Sequence, residues 1–344
     1  MSLDTLVRDN IRNLKPYSSA RDEFNGSNCI QLDANESPFA SDLNRYPDPY
    51  QKELKKVFGE LRNIDPSNVI VGNGSDEIID LIIRAFCEPN QDRILGLEPS
   101  YGMYQVSAAI NSVSYDTFEL NETFNFEADQ LIKSLNKNTK IVFLCSPNNP
   151  TGNLLDQKEI EKLLEAYNGI VVLDEAYIDF SDSDSWINTL DKHPYLIVIQ
   201  TLSKSFALAS LRVGFGICSS EIISVLNKIK PPYNVNSLSQ TQSIQVLSNP
   251  KQTESQISVI LQERETVIAG LQTLKYVKRV FPSSANFVLV KFENSKAIFS
   301  YLIENQIVVR DRSNLTGCEN CLRISIGTPN ENSTLLKILK AYKS

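Results

Sequence analysis

Apolar positions along the middle of the chain follow two alternating spacings: short β-branched runs, and longer stretches with an apolar residue every three or four positions. The short runs predict strands at residues 69–71, 93–97, 141–145, 170–173, 196–200 and 213–217. Helical spacing fills the intervals, as at 76–86 and 157–166. Strands that alternate with helices are typical of a mostly parallel sheet covered by helices. The pattern therefore predicts an α/β fold.

This rhythm changes near Pro231 and Pro232. A long helical pattern follows, and short strands then alternate with helices, at 252–274, 286–292, 295–304, 322–326 and 332–341. The change predicts a second, smaller α+β domain. We place an N-terminal arm with part of the small domain at 1–40, the large domain at 41–245 and the small domain at 246–344.

Composition and charge narrow the function classes. A chain of 344 residues with 42% hydrophobic and 22% charged residues is long enough for two cores. Its net charge of −7 disfavours nucleic-acid and membrane-surface roles. No apolar run approaches the roughly 20 residues that cross a bilayer, and the first residues carry no export signal. We therefore expect a cytoplasmic protein whose anionic ligands are held by local arginines and backbone amides.

Cysteine and histidine usage disfavours a metal site. Four of the six cysteines are isolated, and Cys318 and Cys321 form a C-x-x-C. A second such pair is missing, and His193 is the single histidine. We predict no metal and a reduced cysteine pair, with a redox pair as the alternative. Acid–base catalysis must then use another side chain.

The first chemical motif is a Gly-rich turn between a strand and an apolar helix. Gly72 and Gly74 precede Ser75 and Asp76. Backbone N–H groups at a helix N-terminus suit a phosphate. The dinucleotide fingerprint is excluded, because Glu77 stands where its third glycine would be. A plain turn capped by Ser75 or Asp76 is the alternative.

Three more motifs follow predicted strands, where α/β sheets bind ligands. Asn149 lies in the Pro/Gly-rich turn 146–152, which could also be a simple turn. Asp174 precedes Tyr177 by three positions, and a carboxylate can keep a pyridine nitrogen protonated. Lys204 lies in a hydroxyl-rich segment with Arg212 eight positions later, a setting that suits a Schiff-base lysine beside a phosphate.

In this order the motifs resemble the fold type I aminotransferases. The resemblance implies an aspartate aminotransferase-like α/β fold: a large domain with a mostly parallel, seven-stranded sheet, and a smaller α+β domain. It implies pyridoxal 5'-phosphate as cofactor, bound as a Schiff base by Lys204. Asp174 would contact the ring nitrogen, and Asn149 and Tyr177 the ring oxygen. The other implied cofactor contacts surround the phosphate or stack on the ring, namely Ser75, Asp76, Thr201, Ser203, Arg212 and Tyr101.

Further segments resemble the histidinol-phosphate aminotransferase family, at 12–17, 32–36, 44–48 and 321–327. Two departures are Ser210, where related sequences usually have glycine, and Asp33, where they usually have asparagine. The resemblance implies transamination of histidinol phosphate with 2-oxoglutarate to imidazole-acetol phosphate and glutamate, in histidine biosynthesis. Tyr46 would reach the cofactor phosphate of the neighbouring subunit in a homodimer.

The implied substrate contacts are Tyr17, Asn35, Arg310 and Arg323. Guanidinium forks suit a phosphate, and Arg323 could also bind the carboxylate of glutamate. A surface ion pair with Asp311 is the alternative for Arg310. A threonine-phosphate decarboxylase-like lyase and an aromatic amino-acid aminotransferase stay open as other enzymes. A non-catalytic regulator would need an added basic DNA-binding module, for which we see no room.

Overall fold

The computed structural model describes residues 3–16, 30–41 and 43–343. Its larger sheet has seven strands in the order β1-β7-β6-β5-β4-β2-β3. Strand β7 is antiparallel to both its neighbours, and the other pairs are parallel. The strands are β1 Val69–Asn73, β2 Arg93–Glu98, β3 Ser114–Glu119, β4 Thr139–Cys145, β5 Ile170–Asp174, β6 Leu196–Thr201 and β7 Val213–Ile217. The predicted mostly parallel seven-stranded sheet is confirmed.

Helices cover both faces of this sheet, which explains why its central strands carry apolar residues at successive positions. In β5, Val172 packs into one core, whereas Val171 and Leu173 pack into the core on the opposite face. Successive side chains of a strand point to opposite faces, so a strand buried on both faces loses its polar alternation. Among the described residues between Asp9 and Ile229, the α-helices are α2 Asp9–Arg12, α3 Lys52–Arg62, α4 Ser75–Phe86, α5 Met103–Ile110, α6 Ala128–Ser134, α7 Gln157–Ala166 and α8 Ser220–Ile229. A short helix, α1, precedes them at Leu3–Leu6.

The C-terminal third forms a second, four-stranded sheet in the order β10-β11-β9-β8, entirely antiparallel. Its strands are β8 Val277–Val280, β9 Phe287–Phe292, β10 Arg310–Asp311 and β11 Cys321–Ser325. The helices α10 Pro250–Gln272, α11 Ser295–Glu304 and α12 Pro329–Ala341 belong to this part, whereas α9 Ser237–Leu247 packs with α3 in a core of the large sheet. A separate hydrophobic core joins this sheet to its helices. The domain boundaries at 40 and 245 stay a prediction.

The strands that sequence reasoning missed lie at the edges of the two sheets. Strand β3 pairs with β2 along its whole length, although none of its residues is buried. Strand β10 has two residues, both exposed. Edge strands lack the continuous apolar run that reveals a central strand. Within the described ranges, no helix is both long and apolar enough to cross a bilayer.

Candidate active site

A cavity of about 260 Å³ lies between the two sheets. The carboxyl ends of β4, β5 and β6 line one side of it, and Arg312 and Arg323 from the region of β10 and β11 line the other. It brings together most of the predicted site residues: Ser75, Asp76, Tyr101, Asn149, Asp174, Tyr177, Thr201, Ser203, Lys204, Arg212 and Arg323. A larger cavity of about 510 Å³ lies beside α12. Its only charged lining residue, Glu331, is engaged in the capping box of that helix. The chemistry therefore belongs to the smaller cavity.

One end of the cavity is the N-terminus of α4. The residue before this helix is Gly74 at φ +80°, and no side chain caps the first turn. The sequence alternative of a Ser75 or Asp76 cap is therefore wrong, and the first amides of the helix are left for a ligand. Arg212 closes this end, since a Cβ at Gly74 would lie 2.6 Å from its Nη2 atom. The positive φ favours glycine here, and a side chain at this position would displace the flexible Arg212 guanidinium.

Hydroxyl groups complete this end of the cavity. The Thr201 and Ser203 side-chain oxygens lie 3.0 Å apart just after β6. The Arg212 guanidinium lies 3.5 Å from the Asp76 carboxylate, and both are partly exposed. Amides, hydroxyls and a guanidinium converge, which is a donor set for a phosphate.

Asp174 is the last residue of β5 and is 3% exposed. Its carboxylate accepts hydrogen bonds from the Tyr104 hydroxyl at 2.8 Å and from the Ala176 N–H at 3.0 Å. Burial raises the pKa of Asp174 to about 6, while these two bonds lower it. The carboxylate is therefore held rigidly and gains from a cationic partner in the cavity.

Lys204 follows β6 and is half-buried. Burial lowers the pKa of its ammonium, and the Arg323 guanidinium lowers it further. Its Nζ atom lies 5.6 Å from the centre of the Tyr177 ring, which stands edge-on to Phe287. A lysine with a lowered pKa is available as a neutral amine, the form that acts as nucleophile and base.

Sequence reasoning missed Tyr104, the second residue of α5. Its fully buried ring stacks on Phe143 and stands edge-on to Tyr101. The Tyr101 hydroxyl instead donates to Asp76, at 3.0 Å. Tyr101 precedes α5, and nothing in the sequence indicates that Tyr104 reaches Asp174.

The small sheet forms the opposite wall. Arg323 on β11 donates to the Asn149 side-chain oxygen at 2.5 Å and lies over the Phe287 ring, with 5.3 Å between its Cζ atom and the ring centre. Arg312, two residues after Arg310, also lines the cavity and was missed. The sequence indicates this residue only by its spacing, because residues two positions apart on an extended segment, such as Arg310 and Arg312, lie on the same face.

Some predicted residues lie elsewhere. Arg310 is exposed and absent from the cavity lining, although it lies opposite Arg323 in the β10–β11 register. Asn35 is exposed at φ 53°. Tyr46 is 52% exposed and stacks on Tyr233, outside the cavity of its own chain. Tyr17 lies outside the described residues. The roles of these residues stay predictions.

Comparison with known proteins places the chain in a family. A sequence profile described as aminotransferase class I and II matches residues 28–339. The chain belongs to this family. The histidinol-phosphate aminotransferase of Parabacteroides distasonis is 49% identical over 341 residues, which are 99% of each chain. The resemblance inferred from the sequence is thereby confirmed.

Solved structures agree with this assignment. The histidinol-phosphate aminotransferase of Clostridium acetobutylicum superposes with a TM-score of 0.80 and 28% identity, over 87% of this chain and 90% of that chain. The enzyme from Sinorhizobium meliloti, solved in complex with pyridoxal-5'-phosphate, has the same fold, with a TM-score of 0.80. It is 21% identical over 88% of this chain and 85% of that one. The family generally depends on pyridoxal phosphate, so we ask whether this chain's residues fit that group.

Proposed function

We propose that this chain binds pyridoxal 5'-phosphate and transfers the amino group of histidinol phosphate to 2-oxoglutarate, giving imidazole-acetol phosphate and glutamate. The composition of one cavity carries the proposal. An amine, a buried carboxylate and a phosphate-binding helix end face two guanidinium groups, Arg312 and Arg323. The similarity to histidinol-phosphate aminotransferases over the whole chain supports the choice of substrate.

The residues fit the cofactor's phosphate. The uncapped first turn of α4 offers backbone N–H groups, and Ser203 and Thr201 offer hydroxyls. Arg212 adds a guanidinium that a side chain at position 74 would displace. A dianionic phosphate would offset both the helix dipole and this charge.

The residues also fit a pyridine ring. Asp174 would bind the ring nitrogen, and Tyr177 and Asn149 the ring oxygen, with Tyr101 against the ring face. When bound, pyridoxal phosphate supplies an electron sink for the bonds at the substrate's α-carbon. Asp174 keeps a negative charge beside the ring nitrogen, since Tyr104 and the Ala176 amide stabilise its ionised form.

Lys204 has two tasks in this proposal. Its amine would hold the cofactor covalently, because it lies in the same cavity as the first turn of α4 and Asp174. In its free form, Nζ would take the proton from the substrate's α-carbon. Its lowered pKa favours the neutral amine that this transfer needs.

Substrate selection is assigned to the small-sheet wall. Histidinol phosphate carries a phosphate and no carboxylate, whereas glutamate carries carboxylates and no phosphate. Arg323 can form paired hydrogen bonds with either anion. Arg310, Tyr17 and Asn35 are proposed as further substrate contacts, as the resemblance to the family implies.

We further propose a cytoplasmic homodimer with shared sites, in which Tyr46 reaches the neighbouring subunit's cofactor phosphate. The N-terminal arm, which leads into the segment with Tyr46, exposes large apolar side chains, with Ile30 89%, Leu32 86% and Phe39 81% exposed. Such a patch favours burial against another surface. Tyr46 itself lies outside its own cavity, which leaves it free for this role.

The test is the absorption spectrum of the purified, cofactor-loaded protein before and after histidinol phosphate is added. Conversion of the cofactor to its amine form, reversed by 2-oxoglutarate, is expected. Release of carbon dioxide from threonine phosphate without that conversion would favour the lyase. Faster conversion by phenylalanine or tyrosine would favour the aromatic aminotransferase.

A further inference from the structure

Three arginines lie on one face of the small sheet, at the open side of the cavity. Arg310 pairs directly with Arg323, so their side chains share a face. The Arg312 N–H donates to the Cys321 carbonyl at 3.0 Å, which extends this pairing by one step. Alternation along the segment returns Arg312 to the face of Arg310. The face carries three positive charges within a few residues.

The three arginines differ in how deeply their side chains are buried. Arg310 is exposed, whereas Arg312 and Arg323 are half-buried and line the cavity with Lys204 and Tyr177. The Nε atoms of Arg312 and Arg323 are buried and have no hydrogen-bond partner. An unsatisfied buried donor is costly unless a ligand supplies the acceptor. The inner pair therefore has buried donors that need an acceptor, whereas water can satisfy the donors of the exposed Arg310.

Charge gives an independent argument. Within the described ranges, no carboxylate lies at ion-pair distance from Arg312 or Arg323. Burial lowers the pKa of Arg312, and the guanidinium groups of Arg323 and Arg310 lower it further. Burial is also the main cause that lowers the pKa of Arg323. Two adjacent, unpaired, half-buried cations are matched by a group with two negative charges.

We infer that Arg312, together with Arg323, holds the terminal phosphate of the substrate, and that Arg312 sets the preference for phosphorylated over carboxylate substrates. The inference rests on the proposed function. A phosphate dianion engages both forks, whereas one carboxylate is satisfied by Arg323, already oriented by Asn149. Arg310 makes at most an outer, solvent-screened contact. Arg312 is thus a specificity residue that leaves the proton-transfer machinery unchanged.

The experiment measures both half-reactions of cofactor-loaded Arg312→Gln and Arg312→Lys by single-turnover absorption. The apparent second-order constant for histidinol phosphate should fall by about 10- to 100-fold, the usual cost of losing a charged hydrogen bond. The half-reaction with glutamate should change by less than about threefold, because Arg323 still binds the carboxylate. Arg312→Lys keeps the charge without the fork and should recover only part of the loss. Arg279→Gln is the matched control, an exposed arginine on the far edge of the same sheet that lies over the Phe281 ring.

Inhibition by inorganic phosphate separates this inference from the proposed function. With the cofactor bound, its own phosphate fills the α4 end, so added phosphate reports on the substrate end. Its inhibition constant should rise by about tenfold in Arg312→Gln and stay unchanged in Arg279→Gln. Equal losses in both half-reactions, or losses larger in Arg310→Gln than in Arg312→Gln, would overturn the inference. The native enzyme could also fail to react with histidinol phosphate and still be inhibited by phosphate in a way that depends on Arg312. That result would contradict the proposed substrate and support an anion-binding site at Arg312.

Discussion

The two walls of the cavity differ in how their functional groups are held. The large-sheet wall carries Asp174 and Lys204, and the small-sheet wall carries Arg312 and Arg323. On the large-sheet wall the reactive groups are held by other protein groups, as Asp174 is by Tyr104 and the Ala176 amide. On the small-sheet wall Arg312 and Arg323 lack carboxylate partners in the part of the chain that the structure describes, and their Nε atoms have no acceptor. Preorganised groups suit the reacting centre, where the same chemistry occurs in both half-reactions. Unpaired charges suit a wall that must accept two different anions.

The largest expected effect tests the large-sheet wall. Lys204→Ala should reduce transamination by about 10⁴-fold or more, since it removes both the covalent attachment and the proton carrier. The folded variant should still bind the cofactor noncovalently. Borohydride reduction of the native protein followed by peptide mapping checks the attachment.

Lys55 and Lys230 act as internal controls for that labelling. Burial lowers the pKa of each to about 8, so both are candidate nucleophiles, but neither lines the cavity. If reduction labelled Lys55 or Lys230 instead of Lys204, the assignment of Lys204 as the reactive amine would be wrong.

The next effect concerns Asp174. Asp174→Asn should keep the cofactor and lose about 10²- to 10³-fold in rate, because a neutral amide cannot hold the ring nitrogen protonated. Near-normal turnover with cofactor bound would contradict the assignment.

The same variant should stabilise the cofactor-free protein. Because burial raises the pKa of Asp174 to about 6, the folded state binds a proton that the unfolded state releases near pH 4. Stability from this group is present below pH 4 and is lost as pH rises through 6. Above pH 7, Asp174→Asn should therefore raise the free energy of unfolding by about 2 kcal/mol. Urea unfolding at pH 4 and 7.5 measures the difference, which should vanish at the lower pH.

A third substitution tests the small-sheet wall. Arg323→Gln should slow both half-reactions by about 10- to 100-fold, since each substrate anion loses its fork and Asn149 loses its donor. Single-turnover traces with histidinol phosphate and with glutamate give the two losses separately. A loss confined to one substrate would show that the wall is divided between the anions rather than shared.

The smallest expected effect concerns Tyr104, whose hydroxyl donates to the Asp174 carboxylate. Tyr104→Phe removes a hydrogen bond that lowers the pKa of Asp174, so that pKa should rise above about 6 in the cofactor-free protein. The rate should fall by only about 3- to 10-fold, because the carboxylate itself remains. Tyr101→Phe is the matched hydroxyl deletion, since that hydroxyl donates to Asp76. If both variants moved the pH dependence of unfolding equally, the specific role of Tyr104 would be lost.

The sequence alone determined the large-sheet wall. Central strands buried on both faces appear as continuous apolar runs, and their carboxyl ends meet at one edge of a parallel sheet. Asn149, Asp174 and Lys204 each follow such a run, so their proximity could be predicted without coordinates. Tertiary structure decided the remainder. Tyr104 reaches Asp174 through the packing of α5 against the sheet, and helical spacing alone cannot specify that contact. The inner position of Arg312 relative to Arg310 depends on the pairing of a two-residue edge strand with β11. Short-range patterns encode burial, but contacts across the two sheets depend on register and packing, which form only when distant segments meet.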